Sequence, residues 1–165
     1  VTGLPAPQGS KTARSICHQD ALPCAHCHHR HIVNINQQEA SKRVKPWRKL
    51  VRAAAVEAAG YDWMTITRPV VLWVVFSMPR PKSHYRSGKF AHLLRDDAPA
   101  YPAGGGNDTD KLERAVMDAI TDAKVWADDA LVVSLLGEKV YAGDGHPRAL
   151  AEPGAWVTIT VRDGE

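Results

Sequence analysis

At 165 residues, with 44% hydrophobic and 24% charged side chains, the chain has the size and composition of one soluble globular domain. No apolar run reaches the length that crosses a bilayer and no signal-peptide pattern opens the chain, so a cytoplasmic protein with no membrane partner is expected. Net charge is only +3, yet residues 1–94 carry 14 Lys/Arg against 4 Asp/Glu while residues 95–129 carry 4 against 9. A basic front half joined to an acidic segment suggests a polyanion partner together with a cation site.

The opening "VTGLPAPQGSK" reads as the tail of a strand running into a Pro/Gly turn. All three cysteines follow within a short block, Cys17, Cys24 and Cys27, accompanied by His18, His26, His28, His29 and His31. An odd number of cysteines with C-x-x-C spacing argues for reduced thiols rather than a disulfide scaffold. Cys24 and Cys27 make a zinc knuckle that Cys17 and either His29 or His31 would complete as Cys₃His, with His31 the preferred ligand. The spacing between Cys17 and Cys24 is not a standard half-site, so an insertion loop with free thiols stands beside the zinc reading. "HIVNIN" alternates as a short strand, which places the block, residues 17–31, in a hairpin connection where insertions are tolerated.

Trp47, Leu50, Val51, Ala54, Ala55 and Ala58 recur at helical spacing, with Pro46 suited to the first turn and Gly60 to the stop. Lys45, Arg48, Lys49 and Arg52 fall largely off that stripe and, extended by Lys42 and Arg43, form a candidate phosphate-facing surface. An ordinary solvated helix face has the same pattern. "RPVVLWVVFSMP" is a nearly continuous apolar run of strand length, as in a central strand buried on both faces. Residues 80–107 form a long polar, Pro/Gly-rich connection, read as a flexible loop, with Lys82 and Arg86 among basic groups interleaved with aromatics that suit a nucleic-acid contact. Lys11 is a further candidate contact.

"DKLERAVMDAIT" predicts a second helix buried through Leu112, Ala115, Val116, Ala119 and Ile120. "ALVVSLLGEKVYA" and "GAWVTITVRD" close the chain as strands. The order β-β-α-β-loop-α-β-β describes a single α+β domain over residues 1–165, a small mixed sheet packed by two main helices.

Asp108 and Asp110 flank Thr109 where the second helix begins, and Asp128 and Asp129 follow it at the entry to the next strand. Several oxygen ligands on rigid elements are what a hard divalent cation such as Mg²⁺ requires. A metal there could activate water and neutralise a leaving oxyanion, with Arg114 or Lys139 near the developing charge. The plain alternative is helix capping: Asp110 with Glu113 resembles an N-cap box, and Asp110 with Arg114 an ordinary i, i+4 pair.

The stretch "NDTDKLERAVMDAITDAKVWADDALVVSLLGEKVYA" resembles the signature of the RusA family of Holliday junction resolvases: a D-x-D helix start, a D-D pair and a strand ending in K-x-Y. "GLPAPQGSK" and "MPRPKSHY" resemble two further family segments, and the likeness is close to phage-borne members. The resemblance implies metal-binding aspartates at Asp108, Asp110 and Asp129, and it puts Arg114 at a position where the family carries a catalytic lysine. Arginine keeps the charge but does not donate a proton at ordinary pH, which favours an electrostatic role. Asp118 and Lys139 also fall on family positions. The expected Lys-Pro before the motif is replaced by Gly106-Asn107. The resemblance further implies a Mg²⁺-dependent nuclease, Mn²⁺ being the usual substitute, that acts as a homodimer on four-way junction DNA in the cytoplasm, a bacterial host's if the chain is phage-borne. A nuclease with relaxed preference for forks or flaps, and a non-catalytic zinc-knuckle DNA-binding protein, are the other readings.

Overall fold

The structure, a computed structural model, describes residues 1–8, 42–104 and 107–162 in full and the backbone of 11–16 and 34–39. In chain order the elements are β1 (Lys11–Ile16), β2 (Asn34–Glu39), α1 (Val44–Ala59), β3 (Val70–Met78), α2 (Thr109–Asp122), β4 (Val132–Tyr141) and β5 (Gly154–Val161). This is the α+β order that the periodicities predict. β3 lies at the centre of a three-stranded sheet, parallel to β4 and antiparallel to β5. β1 and β2 form a separate antiparallel hairpin. Of the strand expected over "HIVNIN", residues 34–36 are described and lie in β2, while 31–33 fall outside the described residues; β2 runs on through the polar Gln37, Gln38 and Glu39, where Glu39 pairs with Lys11. Ladder pairing, not apolar alternation, carries the strand through those polar residues.

β3 explains the sheet. Val70, Leu72, Val74, Phe76 and Met78 face α1 and α2 and are buried there with Trp47, Val51, Leu112, Ala115, Val116, Ala119 and Ile120. Each buried Val, Leu, Ile, Phe or Met among them contributes about 1.5–3 kcal/mol, so two helical stripes meeting one strand face suffice to set the layer. On the opposite face Val75 and Ser77 are buried while Val71 and Trp73 are half-buried. The Ser77 hydroxyl accepts a 2.8 Å bond from the Leu150 N–H, which ties the 142–153 loop over that face.

α1 begins at Val44, so Pro46 sits in the first turn, where a missing N–H costs nothing; Gly60 ends the helix at φ 80°. Its stripe is narrower than the spacing suggests. Val44, Trp47 and Val51 are buried, but Leu50 is 45% exposed and Ala58 is also exposed. Ala54, Ala55, Ala58 and Ala59 are too short to close the gap to Trp63, Val157 and Ile159, and with them they line an apolar cleft of about 360 Å³. At the chain start, residues 1–8 form no strand. Thr2 makes one bridge to Gly154, the Val1 ammonium donates to the Ala155 carbonyl at 2.9 Å, and burial lowers the pKa of that ammonium.

The described part of the connection expected as a flexible loop, residues 80–104 and 107, carries local structure. It contains 3₁₀ turns at Lys82–His84 and Gly88–Phe90 and a bridge between Tyr85 and Leu94. Arg86 pairs with Asp96 at 2.7 Å and Arg95 with Asp97 at 2.9 Å. The Arg95 pair lowers the pKa of the Asp97 carboxyl and raises that of the guanidinium. Among the described residues, no helix is long and apolar enough to cross a membrane.

Candidate active site at the amino end of α2

The carboxyl ends of the parallel strands β3 and β4 converge on the start of α2. Open α/β sheets bind ligands at such strand ends. The Lys139 ammonium, near the end of β4, donates to the Asn107 carbonyl at 2.9 Å and so fixes the approach to the helix. Two residues further on, Tyr141 donates its hydroxyl to the Tyr101 carbonyl at 3.3 Å. The Arg80 guanidinium lies 3.8 Å from the centre of the Tyr141 ring and donates to the Pro99 carbonyl, while His84 meets the ring edge-on at 5.7 Å. The long connection is thus clamped onto the end of β4, directly before Asp108.

Asp108 is the N-cap of α2, which corrects the expectation of a cap box at Asp110 and Glu113. Its extended backbone accepts the first helical bond from Leu112 N–H, but its side chain makes no capping bond. The carboxylate pairs instead with Lys111 at 2.5 Å. The Lys111 hydrogen bond, then its charge, hold the Asp108 carboxyl below the usual carboxylate range. Asp110 lies exposed in the first turn, where the positive end of the helix favours an anion. Glu113, one turn on, packs against β4 at Gly137, and a Cβ built on Gly137 would overlap its carboxylate. Burial first and the Asp110 charge second push the Glu113 carboxyl up. Arg114 is exposed in the next position, and no carboxylate among the described residues pairs with it.

Asp129 is elsewhere. The Asp-Asp pair divides its work: the Asp128 side chain caps a 3₁₀ turn by accepting from Ala130 N–H at 2.8 Å, and Asp129 begins that turn, exposed. Asp129 lines a polar cleft with Arg48, Asp118, Thr121 and Asp122, at the carboxyl-terminal half of α2. Eight residues separate Asp110 from Asp118, a rise of about 12 Å along the helix. One chain therefore joins Asp108 to Asp110 but does not bring Asp129 to them. Among the described residues, no group of three or more His, Cys, Asp or Glu is close enough to hold a metal.

The basic candidates separate in the same way. Lys45, Lys49, Arg52 and Lys82 are exposed. Arg48 is committed, bridging to Asp118 at 3.3 Å and Asp122 at 2.6 Å across the two helices, and Arg86 is held by Asp96 and the Leu94 carbonyl. Only the backbone of Lys11 is described, and Cys17, Cys24, Cys27 and His31 lie outside the described residues. From the sequence Arg80 and His84 are expected only as members of the basic, aromatic-interleaved connection and Tyr141 only as the end of the K-x-Y strand; their clamp on the end of β4, and the place of Gly137 against Glu113, come from the structure. The i, i+2 spacing of Lys139 and Tyr141, which puts both on one side of a strand, was the available signal.

The donor set at Asp108 and Asp110 is hard oxygen, suited to Mg²⁺ rather than to zinc. No curated relative matches the chain. The family model described as Endodeoxyribonuclease RusA matches residues 25–150, which includes both ends of α2, the Asp128-Asp129 pair and all of β3 and β4. The chain belongs to the RusA endodeoxyribonuclease family, which makes it a nuclease that cuts DNA internally, with the Holliday junction as the substrate the family implies.

Proposed function

We propose that the protein works as a homodimer, binds Mg²⁺ through Asp108, Asp110 and Asp129, and resolves four-way junctions by paired symmetric nicks in the cytoplasm, where its DNA lies. Nucleases of this family generally require a divalent metal. The observation that carries the reading is the division of the carboxylates between the two ends of α2, beside a strand edge that no strand pairs with among the described residues. β4 forms the outer edge of the sheet, and Val133, Leu135 and Leu136 on it are 62%, 38% and 50% exposed. An apolar edge strand of this kind is a template for pairing with another chain. Two copies of β4 related by a two-fold axis pair antiparallel. The start of one strand then lies against the end of the other. That arrangement carries Asp129 of one copy towards Asp108 and Asp110 of its partner and yields two equal sites.

The chain's own residues supply the remaining chemistry. Lys111 neutralises Asp108 until a cation replaces it. Arg114, with no competing carboxylate, faces solvent one turn beyond Asp110 and can receive the charge that develops on a phosphoryl group. Lys139 and the Arg80–Tyr141 clamp hold the entry to α2 in place, so the carboxylates need not be ordered during the reaction. A bound divalent cation would polarise the scissile phosphate and lower the pKa of a water. A four-way junction has approximate two-fold symmetry, and a dimer with two sites matches it.

Nicking of a synthetic four-way junction in Mg²⁺ tests the reading. Paired, symmetry-related cuts are expected, lost in Asp110→Asn with junction binding retained. Intact junctions at saturating wild-type protein would refute it, and preferential cutting of forks or flaps would move the substrate assignment.

A further inference from the structure

The face of the sheet opposite the helices carries a cation that the catalytic reading does not use. The 142–153 loop folds back over that face, held by Gly143 N–H to the Leu150 carbonyl at 2.8 Å, Ala149 N–H to the His146 carbonyl at 2.9 Å, and the Leu150–Ser77 bond. It delivers Arg148 onto two indoles. The guanidinium carbon lies 3.9 Å from the Trp73 ring centre and 4.6 Å from that of Trp156, and the two indoles meet edge to face at 5.6 Å and 81°. Trp73 is itself fixed, its Nε1–H donating to Glu138 Oε1 at 2.8 Å. The backbone N–H of Arg148 donates to His146 Nδ1 at 3.2 Å, which leaves Nε2 of His146 facing Glu138 at 3.8 Å.

Stacking fixes the plane of a guanidinium without using any of its five N–H donors. No carboxylate or carbonyl among the described residues accepts from the Arg148 side chain. Glu138, which lies against the same Trp73, is engaged by the Trp73 indole N–H and faces His146 instead. A half-buried, pre-oriented guanidinium with open donors matches a phosphate, which takes two parallel N–H bonds from one Arg. Other arginines of the described chain, such as Arg48, Arg86 and Arg95, are spent on aspartates.

We infer that Arg148, seated on Trp73 and Trp156, is a phosphate-binding site for the DNA strand outside the carboxylate centre, one that positions the substrate. This rests on the nuclease reading above. Trp73 lies five residues before Met78, so the contact falls about 17 Å back from the strand ends. That distance is about five base-pair steps along a duplex axis, enough to engage a junction arm while the scissile phosphate is at α2.

The test compares wild type, Arg148→Gln and Arg148→Lys for junction affinity across a salt series, for KM and kcat, and for melting temperature. Arg148→Gln is expected to weaken junction binding several-fold, to flatten the slope of log affinity against log salt by about one, and to act on KM more than on kcat. Arg148→Lys, which keeps the charge and loses the fork, should retain the salt slope and bind with intermediate affinity. Wild-type affinity and slope in a folded Arg148→Gln would overturn the inference and leave the guanidinium as a loop anchor or a contact for a protein partner. Should Arg148→Gln fail to fold, wild-type affinity in Arg148→Lys overturns it equally. If wild type itself does not bind the junction, both this inference and the nuclease reading fall, whereas binding that is indifferent to Arg148 sinks this inference alone.

Discussion

The division of the carboxylates can be tested by mixing two dead enzymes. Asp110→Asn removes a ligand at the amino end of α2, and Asp129→Asn removes one at the other end. Both positions are exposed, so neither change disturbs the core. If the metal site forms within one chain, a heterodimer of the two variants has one missing ligand in each of its sites and stays inactive. If the site forms between chains, the two losses fall together in one site and leave the other complete. Random exchange of subunits makes about half of the dimers mixed, and each mixed dimer carries one intact site of two, so about a quarter of the wild-type sites should return.

The separation in the structure makes the choice sharp. Asp129 sits beside Asp118 and Asp122, at least two helical turns from Asp110, and a rise of about 12 Å exceeds what ligands 2.0–2.1 Å from one Mg²⁺ can span. Co-refolding equal amounts of the variants and scoring nicks on a labelled junction gives the readout. Recovered activity should consist of single nicks, because a mixed dimer cuts one strand. No recovery, with mixed dimers demonstrated by differential tagging, would refute the shared site.

Three further outcomes follow from local geometry. Lys124 takes φ 60°, a left-handed conformation that costs an ordinary residue about 1–2 kcal/mol, while the bonds it makes, N–H to the Thr121 carbonyl and C=O from the Thr65 hydroxyl, use only its own backbone atoms. Lys124→Gly should therefore raise stability by about 0.5–1 kcal/mol after the greater chain entropy of glycine, read as a melting temperature a few degrees higher. Ser77 is fully buried and its hydroxyl is the acceptor for Leu150 N–H. Ser77→Ala should cost about 1–3 kcal/mol in denaturant unfolding and loosen the loop that carries Arg148. Glu113 has its carboxyl pushed above its ordinary 4.5 by burial and by Asp110, so the folded state gains from its protonated form. That gain is complete below pH 4.5 and is lost as pH rises through the raised value. Glu113→Gln in metal-free buffer should remove this dependence, with a small rise in melting temperature at neutral pH and none in acid.

What could be read from the sequence divides by the range of the interactions. The helix at 109–122 and the strand at 70–78 were legible because their burial follows a local period, and Asp108 with Asp110 because both hang on one helix start. The position of Asp129 was not, since adjacency in sequence to the end of α2 and to the start of β4 says nothing about how far it lies from the helix start that carries Asp108 and Asp110. That depends on β4 running back along α2, seen in Lys139 reaching Asn107 and Glu113 lying on Gly137. Arg48 looked like a free DNA contact because its two aspartate partners are 70 and 74 residues away in the chain. Leu50 and Ala58 fit a helical stripe, but the small side chains around them leave α1 standing off the sheet.

Dimer assembly and metal binding should also be linked. In one chain Asp108 is paired with Lys111, which leaves Asp110 and Glu113 as the carboxyl groups without an ion-pair partner among the described residues at the amino end of α2, and their mutual repulsion helps to push the Glu113 carboxyl up. A third carboxylate arriving from a partner adds charge that nothing in the single chain offsets. A divalent cation removes that repulsion, so it must bind the dimer more tightly than the monomer, and by reciprocity it tightens the dimer by the same factor. Sedimentation equilibrium of the wild-type chain should show a lower dimer dissociation constant in Mg²⁺ than in chelator. Asp129→Asn should dimerise at least as well as wild type without metal and respond less when Mg²⁺ is added. A dimer constant indifferent to Mg²⁺ in both proteins would mean that the carboxylates do not meet across the β4 edge, whatever else that edge binds.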